Sequence, residues 1–225
     1  MALPLAVYLL ISLSFKNIIL QSLSGLPYEI WVIPGIIFIV SSLGLYPLLY
    51  RDFFHLRIHK KVLPNVALAP FRKRTLISGY LVVAGIESLI FGLVALLVMA
   101  GVVPSPFSFV EQLLMFLCLI AYLFILGNFY ITLGLIIDTV TTLFLITIIT
   151  FLFIIFGNGF VIEFGFFPMS LESLLSWQPF AIPFRIFQSF LGNGLVDWTL
   201  YFGIIIFGVG WTFFNTTLLK RRMLH

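Results

Sequence analysis

Residues 113–156 read LLMFLCLIAYLFILGNFYITLGLIIDTVTTLFLITIITFLFIIF, with Asp138 as the only charge. As a single helix this stretch would be about 66 Å long at 1.5 Å per residue. A bilayer's hydrocarbon core is about 30 Å thick, so roughly 20 apolar residues cross it. The chain must therefore turn inside this stretch, and Asp138, near its middle, marks the turn. Two spans follow, 113–136 and 139–161.

The same reasoning works outward. Apolar runs at 2–20, 30–50, 77–102 and 199–218 supply four more spans. The chain is 62% hydrophobic and 9% charged, with a mean hydropathy of +1.21. Soluble domains carry about 25% charged residues, so a water-soluble fold is excluded. No linker or internal repeat divides the sequence. The expectation is one all-α domain over 1–225, a polytopic membrane protein with six transmembrane helices. The first 14 residues, MALPLAVYLLISLS, have the length of a signal-peptide core but no basic start and no evident cleavage site. They are read as a short or truncated first span. Lys16 either ends it or snorkels from a longer one.

Orientation follows from charge. Seven of the 12 Lys and Arg residues lie in 51–74, RDFFHLRIHKKVLPNVALAPFRKR, and three more are Lys220, Arg221 and Arg222. Lys and Arg are retained in cytoplasmic loops. Both blocks then face the cytoplasm, as do both termini. Loops 103–112 and 162–198 fall outside, together with Glu29, Glu111, Glu163, Glu172 and Asp197. The net charge of +4 is no nucleic-acid signature, because it is concentrated beside the spans, where it meets anionic lipid. The implied localisation is a plasma (inner) membrane.

Two segments exceed what topology needs. In 51–62, Phe53, Phe54, Leu56, Ile58 and Val62 interleave with Arg51, Arg57, Lys60 and Lys61. This pattern suits a helix lying in the inner interface, longer than a simple connection requires. Pro64 breaks it, and Arg72, Lys73 and Arg74 anchor the next span. On the other side, 162–198 is rich in aromatics and broken by Pro168, Pro179 and Pro183. Its apolar pieces are too short to span, so re-entrant or interfacial helices are expected, one over Ser170–Trp177 and one over Phe184–Leu191. The residues singled out there are Glu172, Trp177, Pro179, Pro183 and Arg185.

Searches for catalytic chemistry find little. The G-N-G triplets at 157–159 and 192–194 lack the lysine and spacing of a phosphate-binding loop. His55 and His59 share a helical face, but His225 is the only other histidine, too few ligands for a metal box. Lone Cys118 excludes an intrachain disulfide and a thiol-rich metal site. The spans hold no histidine and no aspartate pair for intramembrane hydrolysis. The chain is read as a non-enzyme without its own cofactor. Glu87, inside the third span, is the one acid deep in an apolar run and a candidate intramembrane polar site.

Four local patterns together resemble the membrane subunit of an ABC transporter of type 2, the exporter permeases. They are YEIWVIPGI at 28–36, the connection 48–74 ending LAPFRKR, the short turn with an acid at 134–142, and the hairpin 164–192 containing FFPMSLESLLSWQPFAIPFRIFQSF. The resemblance implies six spans, a re-entrant outer hairpin before the last one, and a homo- or heterodimer of such subunits. It also implies a separate cytosolic ATPase that carries ATP and Mg. That ATPase would dock on a coupling helix at Arg51, Phe53, Phe54, Arg57, Ile58, Lys60 and Lys61. Such permeases usually begin with a basic amphipathic segment before the first span, whereas this sequence begins inside the span. Two alternatives stay open. One is a haem-export-type permease of cytochrome maturation. The other is an ATP-independent carrier or scaffold subunit.

Overall fold

The computed structural model describes residues 2–15, 18–23, 25, 27–61, 72–102 and 107–223. Among them the regular elements are helical. They are α1 (Ala2–Phe15), α2 (Tyr28–Ile58), α3 (Lys73–Val102), α4 (Phe109–Ile136), α5 (Val140–Gly157), α6 (Met169–Ser176), α7 (Ile182–Asn193) and α8 (Trp198–Met223), with a 3₁₀ turn at Phe164–Phe166. Five of these, α2, α3, α4, α5 and α8, are long and apolar enough to cross a membrane.

Helix α1 is short, as its sequence suggested. It stops at Phe15 after 14 residues, about 21 Å at 1.5 Å per residue, which is short of a bilayer core. The span expected over 2–20 is therefore not among the five; Lys16 lies outside the described residues. Helix α2 corrects one expectation. Instead of ending near residue 50 it continues to Ile58. Residues 51–58 of the expected interface helix are thus continuous with α2.

Local sequence explains the helix ends. Ser108 caps α4: the Glu111 N–H donates to its hydroxyl at 3.4 Å, and the Ser108 N–H returns a bond to the Glu111 carboxylate at 2.5 Å. Thr139 caps α5 by accepting from the Thr142 N–H at 3.3 Å. Between these two helices the backbone is extended at Ile137 and Thr139, so the turn sits where Asp138 predicted it. Gly194 ends α7 at φ 68°, with its N–H donating to the Phe190 carbonyl.

Helix α2 is the centre of the bundle: 83% of its apolar window is buried inside the protein, against 17% for α5. The Phe38 ring contacts those of Tyr122 (5.3 Å), Phe160 (5.3 Å) and Phe184 (5.1 Å). This cluster joins α2, α4, the segment after α5 and α7. Gly35 passes so close to the Phe160 carbonyl that any Cβ there would overlap it. Helices α4 and α8 are linked by polar side chains. The Asn215 amide donates to the Asn128 carbonyl (2.9 Å), Thr132 donates to Asn215 Oδ1 (2.7 Å), and the Trp211 indole donates to Thr132 (2.9 Å). Such bonds hold helices together where lipid supplies no hydrophobic drive.

Candidate functional site

The segment singled out for docking, 51–62, follows Pro47, whose missing N–H cannot bond back along the helix. From Leu48 to His55 the turns widen to the π form, a rare geometry enriched at functional sites. The widened segment presses on α4. A Cβ on Gly134 would stand 2.8 Å from Phe53 Cβ and 3.1 Å from the Leu49 carbonyl, so glycine is what lets the helices approach.

This packing divides the predicted residues. Phe53 and Phe54 are fully buried, Phe53 edge-on to Tyr80 at 5.3 Å, so neither offers a surface to another protein. Ile58 is half-buried. Arg57 also turns inward. Its guanidinium donates to the carbonyls of Gly134 (3.2 Å) and Ile137 and forms an ion pair with Asp138 at 2.5 Å. Arg222, from the end of α8, reaches the other Asp138 oxygen at 3.6 Å and the Ile136 carbonyl at 3.1 Å. Two arginines thus satisfy the last carbonyls of α4, where the helix end is partially negative. The ends of α2, α4 and α8 are tied at one point.

The exposed part of the segment is cationic. Lys60 and Lys61 stand in solvent, Lys61 with a left-handed backbone (φ 51°); Arg72 and Arg221 are also exposed. Val62 lies outside the described residues. Arg51 is exposed and gripped by its neighbour Asp52, with Nε–Oδ1 at 2.6 Å. The pair borders a groove of about 410 Å³ with Tyr80 and Val83. Arg74 lies over the Phe213 ring at 4.0 Å, which docks the start of α3 on α8. The His55 and His59 rings are 5.2 Å apart. Among the described residues no group of three metal-ligating side chains gathers.

Compared with known proteins, the chain matches no family model, no curated protein and no solved structure. The likeness to exporter permeases therefore stands on its four sequence patterns, to which the geometry adds no relative.

Glu87 is half-buried on α3, near enough to Arg51 for the two charges to attract. It is not joined to the arginine tie. At the opposite end of the bundle, α6 and α7 stand where two short helices were expected. The Trp177 ring and the Arg185 guanidinium stack at 4.8 Å, and Arg185 also donates to the Ser176 carbonyl at 3.4 Å. Pro183 lies in the first turn of α7 and is buried, Pro179 lies in the linking turn, and Glu172 is half-buried on α6.

Sequence reasoning missed what anchors this pair. The Gln178 amide donates to the Gly157 carbonyl (2.5 Å) and to Asn158 (2.9 Å), and the Tyr28 hydroxyl donates to the Val161 carbonyl (3.0 Å). Glu163 accepts the Leu23 N–H at 2.6 Å. Burial raises the Glu163 carboxyl above its usual range, partly opposed by that N–H. The G-N-G at 157–159 was the available signal: Gly159 has φ 76° and forms the tight turn that these side chains secure.

Proposed function

We propose that this chain is the membrane-spanning subunit of an ATP-driven exporter, docked to a separate cytosolic ABC ATPase and paired with a second permease subunit. In this reading α1 completes a set of six spans, the α6–α7 pair is a re-entrant hairpin on the outer side, and both termini are cytoplasmic. The protein resides in the inner membrane. ATP and Mg belong to the ATPase. This chain supplies the path and a lever.

One observation carries the reading. The basic turn at Lys60 and Lys61 is exposed directly beyond a tie, Arg57–Asp138–Arg222, that joins the ends of three long helices through the half-buried Arg57. A push on the exposed turn would be passed to α2, α4 and α8 together, because a packed, hydrogen-bonded junction transmits displacement rather than absorbing it. Docking is accordingly assigned to Lys60, Lys61 and the exposed Arg51. Phe53, Phe54 and Arg57 form the inner half of the lever.

The test is co-purification of the chain with an ATP-binding subunit from its native membrane. Lys60→Glu with Lys61→Glu should release that subunit while membrane insertion and thermal stability stay unchanged. Retention of the ATPase in the double variant overturns the docking assignment. Substrate movement by the chain alone, in vesicles without any ATPase, overturns the export reading and favours an autonomous carrier.

A further inference from the structure

The end of the bundle away from the arginine tie holds a small cavity that plays no part in ATPase docking. Its volume is about 230 Å³, and Leu23, Trp31, Glu163, Phe164 and Gln188 are among its lining residues. Four separate segments build it: the α1–α2 connection, the first turn of α2, the stretch after α5, and α7. A cavity assembled from segments this far apart in sequence exists only in the folded chain.

Its chemistry is specific. Glu163 is only 8% exposed and Trp31 only 5%. One carboxylate oxygen of Glu163 takes the Leu23 N–H. Among the described residues no basic side chain forms an ion pair with it. A carboxylate buried to this degree is ordinarily paired with a cation or neutralised by a proton. Gln188 donates its amide to the Gly159 carbonyl at 3.4 Å, and its remaining amide oxygen can only accept. Trp31 and Phe164 contribute aromatic walls. A buried negative charge, an acceptor and π faces together suit an organic cation, whose attraction to an aromatic ring grows when both are desolvated. A hard divalent cation would require six or more oxygens, and an anion would be repelled by Glu163.

We propose that this cavity binds a small alkylammonium group, with Glu163 as counter-charge and Trp31 and Phe164 as the aromatic wall. The group is a free amine or the ammonium end of a lipid headgroup, which share this chemistry. The site stands independently of the export reading, since it needs neither ATP nor a partner chain.

The experiment uses the full chain in nanodiscs and isothermal titration calorimetry with ethanolamine and choline chloride. In phosphatidylglycerol discs a saturable titration is expected, whereas sodium chloride at equal ionic strength produces none. Glu163→Gln keeps an oxygen for the Leu23 N–H and should weaken binding about tenfold or more. Trp31→Leu, a second variant that keeps the charge, should weaken it several-fold. In phosphatidylethanolamine discs, loss of the response to added ethanolamine identifies the lipid headgroup as the occupant, and an unchanged response identifies a free amine. No saturable titration by the wild-type chain in phosphatidylglycerol overturns the proposal. So does equal affinity in Glu163→Gln.

Discussion

Arg57 and Asp138, 81 positions apart in sequence, meet in a 2.5 Å ion pair that closes the end of α4 against the end of α2. The two partners differ in setting: the Arg57 side chain is 13% exposed and that of Asp138 57%. The charge attraction is therefore screened by water and worth little on its own. The stronger contribution comes from the two backbone carbonyls that Arg57 also satisfies.

Arg57→Ala should accordingly cost about 1–3 kcal/mol, because it strands buried carbonyls. Asp138→Asn should cost less than about 1 kcal/mol. Thermal unfolding in detergent, followed by intrinsic fluorescence, ranks the two. Equal losses would mean that the ion pair, and not the capping of α4, holds the junction.

Gly35→Ala places a methyl group on the Phe160 backbone carbonyl. Backbone cannot rotate aside as a side chain can, so a loss of about 3 kcal/mol or more is expected. Gly79, on α3, has open space where a Cβ would go. Gly79→Ala should be neutral or stabilise by up to about 1 kcal/mol through helix propensity. Size-exclusion profiles and melting temperatures of the two variants provide the comparison.

Asn128→Leu removes Oδ1, the one side-chain acceptor that Asn215 and Thr212 share between α4 and α8. Asn215 keeps the backbone carbonyl of residue 128 and Thr212 keeps that of Gly208, so losing the shared side-chain acceptor should destabilise by about 0.5–1.5 kcal/mol. Adding Asn215→Leu should cost less than a second full loss, since both ends are then apolar. Strict additivity in the double variant would contradict a shared network.

The pH response of two acids should have opposite sign. Burial raises the Glu163 carboxyl above its ordinary value of 4.5. The folded chain then holds a proton that the unfolded chain has released, so this contribution to stability falls as pH rises from 4.5 toward the folded value. Asp197 is lowered below 3.8, mainly by the Thr199 hydroxyl and also by the Leu200 N–H. Its contribution is present above 3.8 and fades as pH falls through the folded value. Melting curves of Glu163→Gln should lose the first dependence and keep the second. A Glu163→Gln variant with the wild-type profile would show that this acid is not the titrating group.

Much of the architecture was legible because hydropathy and capping are local. The turn at Asp138, four of the five long helices within a few residues, and the two short helices after α5 all follow from runs of apolar residues and where prolines or caps interrupt them. The candidate docking segment was legible only in part. Arg51, Lys60 and Lys61 are exposed as their charge suggests, but Phe53 and Phe54 alternate with cations in sequence and are nevertheless buried. Their neighbours Gly134 and Tyr80 come from other helices, so no pattern within 51–62 could reveal it.

By itself the sequence determined that this is a membrane-embedded helical protein, where most of its long helices run, and where its positive charge gathers. Those properties are sums over neighbouring residues, and a bilayer reads them segment by segment. Only the tertiary structure decided that α2 runs on to Ile58, that Arg57 turns inward to Asp138 while Lys60 faces water, and that Glu163 and Trp31 share a cavity. Each depends on which distant helix arrives opposite a side chain. That is a long-range packing choice, and residues 81 or more positions apart make it.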